Sequence, residues 1–340
     1  MKWSSLLCKT RVRELLGGSA SARILEETRD EFERDYGRSI FSTPIRRLQD
    51  KAQVFPLEPI DAVRTRLTHS LEVSSVARGI ASGLARTLQK NKKLERPEFS
   101  HDIETIAATS GLLHDLGNPP FGHAGEEAIR EWFRRRIKDD ETKEFAGLRE
   151  NEREDLLNFE GNAQTLRLLT KLQILSDRYG LNLTAGTLSA LCKYTASSTE
   201  LKNKDRPRSK KKLGYLTSEA PVITKIRDVT GTGDARNPLA ILVEAADDIV
   251  YSVVDIEDGI KKGVIRWSLV RDLLNPEVSK IGKTLFEDCV DAAEKKVDSG
   301  EFVATGQNRD EVLANIFARS SLERQVLPSR TLSWITMMRS

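Results

Sequence analysis

The sequence predicts an all-α protein, with loop insertions and at most one short hairpin. Apolar residues recur at intervals of three and four over long stretches, which is typical of amphipathic helices. The apolar/polar alternation of half-buried strands is almost absent. Pro and Gly residues fall between the helical stretches, where they end regular structure. No internal repeat appears, so we expect a helical bundle.

The first half of the chain has a clear series of helical patterns. The predicted helices cover 22–36, ending near Gly37, then 43–53, 68–88, 101–114, and a helix that begins near His123. The stretch 68–88 has the strongest pattern, because Val73, Ala77, Ile80 and Leu84 share one face. The residues Gly-Asn-Pro-Pro-Phe-Gly at 117–122 cannot continue a helix, which predicts a tight loop.

The second half contains one stretch that is apolar around most of its circumference. Two further helices are predicted at 159–177 and 184–194, and the polar, Lys-rich stretch 196–237 is predicted to be a long loop with a short hairpin around Tyr215. Asn237 and Pro238 then form a helix start, with Asn as the cap and Pro in the first turn. The helix that follows, to Gly259, is predicted to be central and buried.

The composition is that of a globular protein. Hydrophobic residues are 39% and charged residues 31% of the 340 residues. The net charge of +3 gives no argument for nucleic-acid binding. The three cysteines are far apart and form no CxxC pair, which favours a reducing, cytoplasmic compartment. No uncharged stretch approaches the roughly 18 residues of a membrane span, so we expect no membrane association.

Histidine is scarce, so any histidine chemistry depends on His69, His101, His114 and His123. His69 shares the apolar stripe of its predicted helix, and His114-Asp115 follows the next one. Asp247 lies in the predicted buried helix, where a carboxylate is costly unless it is paired or bound to a cation. A lone histidine on an apolar face is more often a hydrogen-bonded core residue. Together, two imidazoles and two carboxylates could bind a divalent metal ion.

The surrounding sequence resembles a known superfamily. RTRLTHSLEV (64–73), GLLHDLGNPPFGHAGE (111–126) and EAADDIVYSVVDIEDG (244–259) resemble the H…HD…D signature of HD-domain phosphohydrolases. RSIFSTPIRRLQDKAQVFPLE (38–58) and NFEGNAQTLRLL (158–169) are similar to bacterial dGTPases within that superfamily. The likeness covers roughly residues 30–262. The combination of HDxGNPPFGHxGE with FEGNAQ is highly specific, whereas an HD pair alone is a loose pattern.

The resemblance implies a metal site and a catalytic pair. The metal ligands fall on His69, His114, Asp115 and Asp247, with Mg²⁺ or Mn²⁺ expected and Fe, Co, Ni or Zn compatible with imidazole. His123 and Glu126 are the implied proton-transfer residues. Spacing alone does not distinguish Glu126 from Glu127, and without the resemblance His123 is interpreted as a helix cap.

The resemblance also implies eight substrate contacts. Gln53 and Asp255 are expected at the sugar 3′-hydroxyl and Tyr251 beside the deoxyribose, although spacing equally allows Tyr251 to pack in the core. The phosphate contacts are expected at Arg66, Asn118, Lys193, Tyr194 and Lys212. Cationic side chains suit a polyphosphate because several negative charges must be neutralised. Within FEGNAQ, the side chains of Glu160, Asn162 and Gln164 are expected to line the site, with no chemical step assigned.

The implied protein is a dGTPase-like enzyme with an HD-domain helical bundle. The implied reaction is metal-dependent hydrolysis of dGTP, or of dNTPs generally, to the deoxynucleoside and tripolyphosphate. The organisation predicted is an N-terminal helical segment (1–37), the HD core (38–262) and a C-terminal helical segment (263–340). The last stretch, SSLERQVLPSRTLSWITMMRS, does not resemble the family's continuation, which indicates a truncated or short variant.

Partners and alternatives follow from the same resemblance. A homo-oligomer, with a hexamer as one form, and single-stranded DNA are the partners it implies besides the nucleotide. One alternative is an HD-domain phosphodiesterase acting on another nucleotide, which would lack the sugar-contacting set and FEGNAQ. The other is a non-catalytic regulator that binds nucleotides or single-stranded DNA, although the complete set of ligand positions argues against it.

Overall fold

The computed structural model describes residues 1–20, 29–139, 143–173, 178–203, 205–274, 285–299 and 309–325. Within these ranges the regular structure is helical, and β-pairing is confined to isolated bridges, which confirms the all-α prediction. The α-helices, in order, are α1 Trp3–Leu6, α2 Val12–Leu15, α3 Glu31–Ile40, α4 Thr43–Arg47, α5 Arg66–Lys90, α6 Phe99–Leu113, α7 Gly122–Lys138, α8 Glu150–Leu157, α9 Gly161–Arg167, α10 Ala185–Leu191, α11 Ala220–Thr230, α12 Pro238–Lys261, α13 Trp267–Leu273, α14 Leu285–Asp298 and α15 Arg309–Gln325.

The two longest helices start at capping residues. The Thr65 hydroxyl accepts from the backbone N–H of Thr68 at the start of α5. The Asn237 side chain accepts from the N–H of Leu239, and Pro238 occupies the first turn of α12, as predicted. These caps determine where each helix begins, and thereby the depth at which α5 carries His69 and α12 carries Asp247.

α6 lies between two hydrophobic clusters. Its N-terminal half, with Ile103 and Ile106, packs with α5 and α12 in the first cluster. Its C-terminal half, with Leu112 and Leu113, packs with α9, α10 and α11 in the second. All four side chains are fully buried, and burying one contributes about 1.5–3 kcal/mol. α6 is therefore held from all sides, and its end is a rigid position for His114.

The described part of the C-terminal segment shares the first cluster. Trp267 of α13 contacts Phe317 of α15 edge to face, with ring centroids 5.8 Å apart. Leu313 and Phe317 are buried with Val250 and Val253 of α12. Residues beyond 262 thus complete the core around the helix that carries Asp247.

A buried ionic cluster ties the start of α5 to the end of α12. The guanidinium of Arg64 binds Glu72 at 2.8 Å, Glu257 at 2.7 Å and Asp258 at 2.6 Å. The side chains of Glu257 and Asp258 are only 4% and 3% exposed. Carboxylates this deeply buried need a cation, so Arg64 fixes the connection between the two helices.

The structure corrects the prediction for 196–237. This stretch forms helix α11 and short 3₁₀ turns, and Ala196 bridges Leu213 in parallel, so no hairpin surrounds Tyr215. Val222, Ile223 and Ile226 bury one face of α11, a three-to-four spacing that the surrounding polar residues obscured. Lys212 adjoins the isolated bridge, and its Nζ lies 5.9 Å from the ring centre of Tyr194.

Three other helix boundaries differ from the predictions. The helix predicted at 22–36 begins at Glu31, where Asp30 caps it, and continues through Gly37 to Ile40; residues 21–28 lie outside the described part. The helix predicted at 43–53 becomes 3₁₀ at Leu48 and ends at Asp50. That predicted at 159–177 turns into a π-helix over Leu168–Leu172. The final residues, 326–340, also lie outside the described part. Among the residues described, no helix combines the length and apolarity needed to cross a bilayer.

Candidate metal centre and active site

Three helices bring the four predicted metal ligands together. His69 Nε2, on α5, lies 3.1 Å from Asp247 Oδ1, on α12. His114 Nε2, at the end of α6, lies 3.5 Å from the same oxygen and 3.5 Å from Asp115 Oδ1. Ligand atoms of His69, His114 and Asp115 all lie within 4.8 Å of one another. The mixed nitrogen and oxygen donor set suits a divalent metal ion.

The hydrogen bonding of His114 fits metal binding, whereas the Nδ1 atom of His69 is buried without a hydrogen-bond partner. The Nδ1 of His114 lies 2.7 Å from the carbonyl oxygen of Gly111, to which it donates. That bond directs Nε2 toward Asp115 and Asp247, and Nε2 is buried without a hydrogen-bond partner. An outer N–H bound to a carbonyl is the usual support for a metal-binding histidine. The buried Nε2 atom of His114, which faces two carboxylates without a hydrogen bond, is therefore suited to bind a cation that they share.

The electrostatics of the four side chains also favour a cation. Burial lowers the pKa of His114, but the carboxylates of Asp115 and Asp247 outweigh it and raise that pKa to about 9. Burial raises the pKa of Asp247, but His114 and His69 outweigh it and hold that pKa well below the usual value. The shift of His114 reports the negative potential of the two carboxylates, and the shift of Asp247 reports the attraction of the two imidazoles for its charged form. A metal ion at this point would replace the proton on His114.

Arg66 and Asn118 both contact Asp115. The guanidinium of Arg66 donates to Asp115 Oδ2, and the amide of Asn118 donates to Asp115 Oδ1 at 2.6 Å. Lys51 donates in turn to the backbone oxygen of Asn118 at 2.8 Å. The two predicted phosphate contacts thus orient a metal ligand in this structure. Their predicted role toward phosphate stays a prediction.

Close backbone packing shapes the loop between α6 and α7. A Cβ at Gly117 would lie 2.2 Å from the oxygen of Gly161 and 2.3 Å from the nitrogen of Thr165, so only glycine fits. Phe121 has a left-handed backbone (φ 65°) and precedes the first residue of α7. Its side chain is exposed. This compact turn leads from His114 and Asp115 to His123, which lines the same cavity as they do.

One cavity of about 130 Å³ collects most of the predicted site and opens to solvent. The predicted site residues that line this cavity are His114, Asp115, Asn118, His123, Glu126, Lys193, Tyr194, Lys212 and Asp247. His69 and Arg66 do not line the cavity but contact residues that do, since His69 contacts Asp247 and Arg66 contacts Asp115. The cavity therefore joins the metal group to the basic residues predicted to bind phosphate.

The structure distinguishes Glu126 from Glu127. Glu126 is buried at the cavity wall, whereas the side chain of Glu127 is 57% exposed and pairs with Arg134 at 2.8 Å. The carboxylate of Glu126 accepts from the N–H of Gly161 at 2.8 Å and from Arg130 at 3.2 Å, and these bonds, not one to His123, hold it. Its action on His123 stays a prediction.

The nearest polar partner of His123 is a lysine. Lys212 Nζ lies 3.4 Å from His123 Nε2 and 5.9 Å from the ring centre of Tyr194. A lysine ammonium can donate only to an imidazole nitrogen that carries no proton.

The second cavity lysine, Lys193, has a raised pKa. Burial alone would lower the pKa of Lys193, but the negative charges of Asp247 and Glu244 have the larger effect and raise it. Lys193 therefore stays charged.

The three predicted sugar contacts lie outside the lining of this cavity. Tyr251 is 48% exposed, which excludes packing in the core. The Oε1 atom of Gln53 and the Oδ1 atom of Asp255 are both buried without a hydrogen-bond partner. Buried polar atoms left unpaired are uncommon and often mark a binding site.

Three acidic or amide residues complete the cavity. Glu160 and Asn162 line it, as expected for FEGNAQ, whereas Gln164, which was expected with them, does not; Asn162 donates to Glu160 at 2.7 Å. Glu244 lines it as well and was not predicted. The signal was available, because Glu244 precedes Asp247 by one helical turn on the same face of α12.

Comparison with known proteins gives the family. Residues 66–184 match the model of the HD domain. The chain is 47% identical over 274 residues, 78% of its length, to a deoxyguanosinetriphosphate triphosphohydrolase-like protein of Listeria innocua. It is 36% identical over 330 residues, 88% of its length, to the deoxyguanosinetriphosphate triphosphohydrolase of Yersinia enterocolitica. This chain belongs to the HD-domain family of deoxyguanosinetriphosphate triphosphohydrolase-like proteins.

The matched HD domain runs from the first residue of α5 to the residue before α10. It includes His69, His114, Asp115 and the predicted catalytic pair, His123 and Glu126, whereas Asp247 on α12 lies beyond its end. The chain spans 57% of the Listeria relative and 62% of the Yersinia relative.

Proposed function

We propose that this protein hydrolyses dGTP, or dNTPs generally, to the deoxynucleoside and tripolyphosphate in a metal-dependent reaction. The observation that carries the proposal is the convergence of two imidazoles and two carboxylates beside a cavity that also holds His123 and two lysines. The activity for which the Yersinia relative is named supports the substrate class.

His69, His114, Asp115 and Asp247 would hold the metal ion. A divalent ion bound there would neutralise phosphate charge and act as a Lewis acid. Mg²⁺ and Mn²⁺ are the proposed cofactors, and Fe, Co, Ni or Zn also suit the imidazole donors. Arg66 and Asn118 keep Asp115 oriented for that role through the hydrogen bonds described above.

In this proposal water attacks the α-phosphorus and the 5′-oxygen leaves. His123 moves the proton, since its Nε2 faces the cavity at 3.4 Å from Lys212 and a positioned histidine contributes about 10²–10⁴-fold. Glu126 acts as its carboxylate partner. Lys193, Tyr194 and Lys212 bind the polyphosphate, together with Arg66 and Asn118.

The nucleoside lies beyond the enclosed space. A cavity of about 130 Å³ is small beside the roughly 300–1,000 Å³ of sites that enclose a whole drug-sized ligand, so it takes the phosphate chain. Gln53 and Asp255 then receive the 3′-hydroxyl with their unpaired oxygens, and Tyr251 stands beside the deoxyribose. We also propose, from the resemblance, a homo-oligomer in solution and a capacity to bind single-stranded DNA.

The test is product analysis. The protein is incubated with each of the four dNTPs and with GTP, in Mg²⁺ and in Mn²⁺, and the products are separated by ion-exchange chromatography. The proposal expects deoxynucleoside and tripolyphosphate in equal amounts, and no tripolyphosphate from His114→Ala, which also loses bound metal. Release of monophosphate and pyrophosphate would overturn the proposed bond cleavage.

A further inference from the structure

Each of the two cavity lysines is backed by a deeply buried carboxylate. The Oε2 atom of Glu160 lies 3.3 Å from Lys212 Nζ, and the side chain of Glu160 is only 4% exposed. An oxygen of Glu244 lies 3.9 Å from Lys193 Nζ, and its side chain is 9% exposed. All four residues line the same cavity.

The two carboxylates are themselves held rigidly. Glu160 accepts from the Asn162 amide at 2.7 Å through Oε1, which leaves Oε2 for the lysine. Glu244 binds the guanidinium of Arg236 at 2.7 Å, and that side chain is 10% exposed. A carboxylate fixed by a second donor is a stable anchor for a flexible ammonium group.

Buried negative charge beside a polyphosphate site is unfavourable by simple Coulomb repulsion. Glu160 and Glu244 can therefore favour phosphate binding only through another effect that outweighs this repulsion. Holding a lysine in one rotamer removes part of the side-chain ordering cost from ligand binding. Without Glu160, the closest remaining acceptor for Lys212 is the Nε2 atom of His123 at 3.4 Å. Lys212 Nζ is thus held between Glu160 Oε2 at 3.3 Å and His123 Nε2 at 3.4 Å, and the charge of Glu160 fixes the ammonium group in this place.

We infer that Glu160 and Glu244 are positioning residues that preorganise Lys212 and Lys193 for the phosphate chain. The inference deepens the proposed function and rests on it for the substrate class. It assigns the acidic residue of FEGNAQ a role in binding polyphosphate, separate from the metal ligands and from the proton-transfer pair.

The experiment measures binding of tripolyphosphate alone, by calorimetry in the presence of Mn²⁺, to the wild type and the Glu160→Gln variant. The Gln side chain keeps the shape and loses the charge. We expect the dissociation constant of tripolyphosphate to rise about tenfold, which corresponds to about 1.4 kcal/mol. Glu244→Gln should do the same, and deoxyguanosine binding should stay unchanged in both.

A double-mutant cycle separates positioning from general electrostatics or misfolding. In a Lys212→Ala background, Glu160→Gln should have no further effect on tripolyphosphate. Glu160→Asp, which is too short to reach Lys212, should weaken binding as much as Gln does. The matched control is Glu150→Gln, which removes an exposed partner of Lys202 (2.7 Å) and should leave binding unchanged.

Several results would overturn the inference. Tighter tripolyphosphate binding by Glu160→Gln would show that repulsion dominates, and an equal loss in the Lys212→Ala background would show a purely structural role. If the wild type did not bind tripolyphosphate, the premise of the inference would be false. These outcomes are distinct from failure of the proposed function, which the dNTP products of the wild type decide by themselves.

Discussion

Gly117 of the HDxG sequence provides a sharp test of the site geometry. In Gly117→Ala the new Cβ would lie 2.2 Å from the oxygen of Gly161 and 2.3 Å from the nitrogen of Thr165. Ordinary carbon contacts begin near 3.4 Å, so the loop and α9 must separate by about 1 Å. Both obstacles are backbone atoms, which cannot rotate away.

The expected cost follows from that displacement. Overpacking of this kind costs about 1–3 kcal/mol of stability, and occasionally more. A misplacement of about 1 Å at a catalytic group costs about 10²-fold in rate. The loop carries Asn118 and leads to His123, so we expect Gly117→Ala to lose about 10²-fold in tripolyphosphate release and to unfold at a lower temperature.

The assays are dGTP turnover and thermal unfolding, with Gly147→Ala as the control. A Cβ at Gly147 meets nothing within 4 Å, and the residue has no left-handed backbone. Its substitution should change the free energy of unfolding by no more than about 0.5 kcal/mol. If Gly117→Ala matched the control in both assays, the close approach of the loop to α9 would be refuted.

Three further predictions concern stability, metal binding and thiol reactivity. Arg64→Met should lower the free energy of unfolding by about 3–5 kcal/mol, because the buried Asp258 loses its salt-bridge partner and the buried Glu257 keeps only Lys261. Exposed Arg135→Met should cost at most about 1 kcal/mol in chemical denaturation, and equal costs would contradict the ionic cluster. Mn²⁺ at about 100 times its dissociation constant should raise the free energy of unfolding of the wild type by about 2.7 kcal/mol, measured by thermal unfolding. Asp247→Asn should abolish this gain. If the variant gained as much stability as the wild type, the ion would bind elsewhere. Desolvation raises the pKa of the Cys192 thiol to about 11, so at pH 8 about one molecule in a thousand carries the thiolate. Iodoacetamide should therefore modify this residue more slowly than a model thiol by peptide mass spectrometry, and modification at the rate of an unfolded control would contradict the raised pKa.

The main helices and the types of residue that form the site could be predicted from the local sequence. The apolar periodicity of α5 and the Asn237-Pro238 start of α12 predicted both helices within a few residues of their bounds, since caps and amphipathic stripes are local signals. The helix over 220–230 was missed because polar residues before it dominated the pattern of the whole stretch. Gly37 is another local signal that misled, since packing carried α3 past it.

The resemblance, rather than periodicity, indicated which histidines and carboxylates belong together. Sequence separation hides such groups: His69 and Asp247 are 178 positions apart and touch at 3.1 Å because α5 packs against α12. Only the tertiary structure decided that Arg66 and Asn118 grip Asp115, that Glu126 is buried while Glu127 is exposed, and that Glu244 joins the cavity. The physical reason is that helix periodicity sets the face on which a side chain lies, whereas packing between helices sets what that face meets.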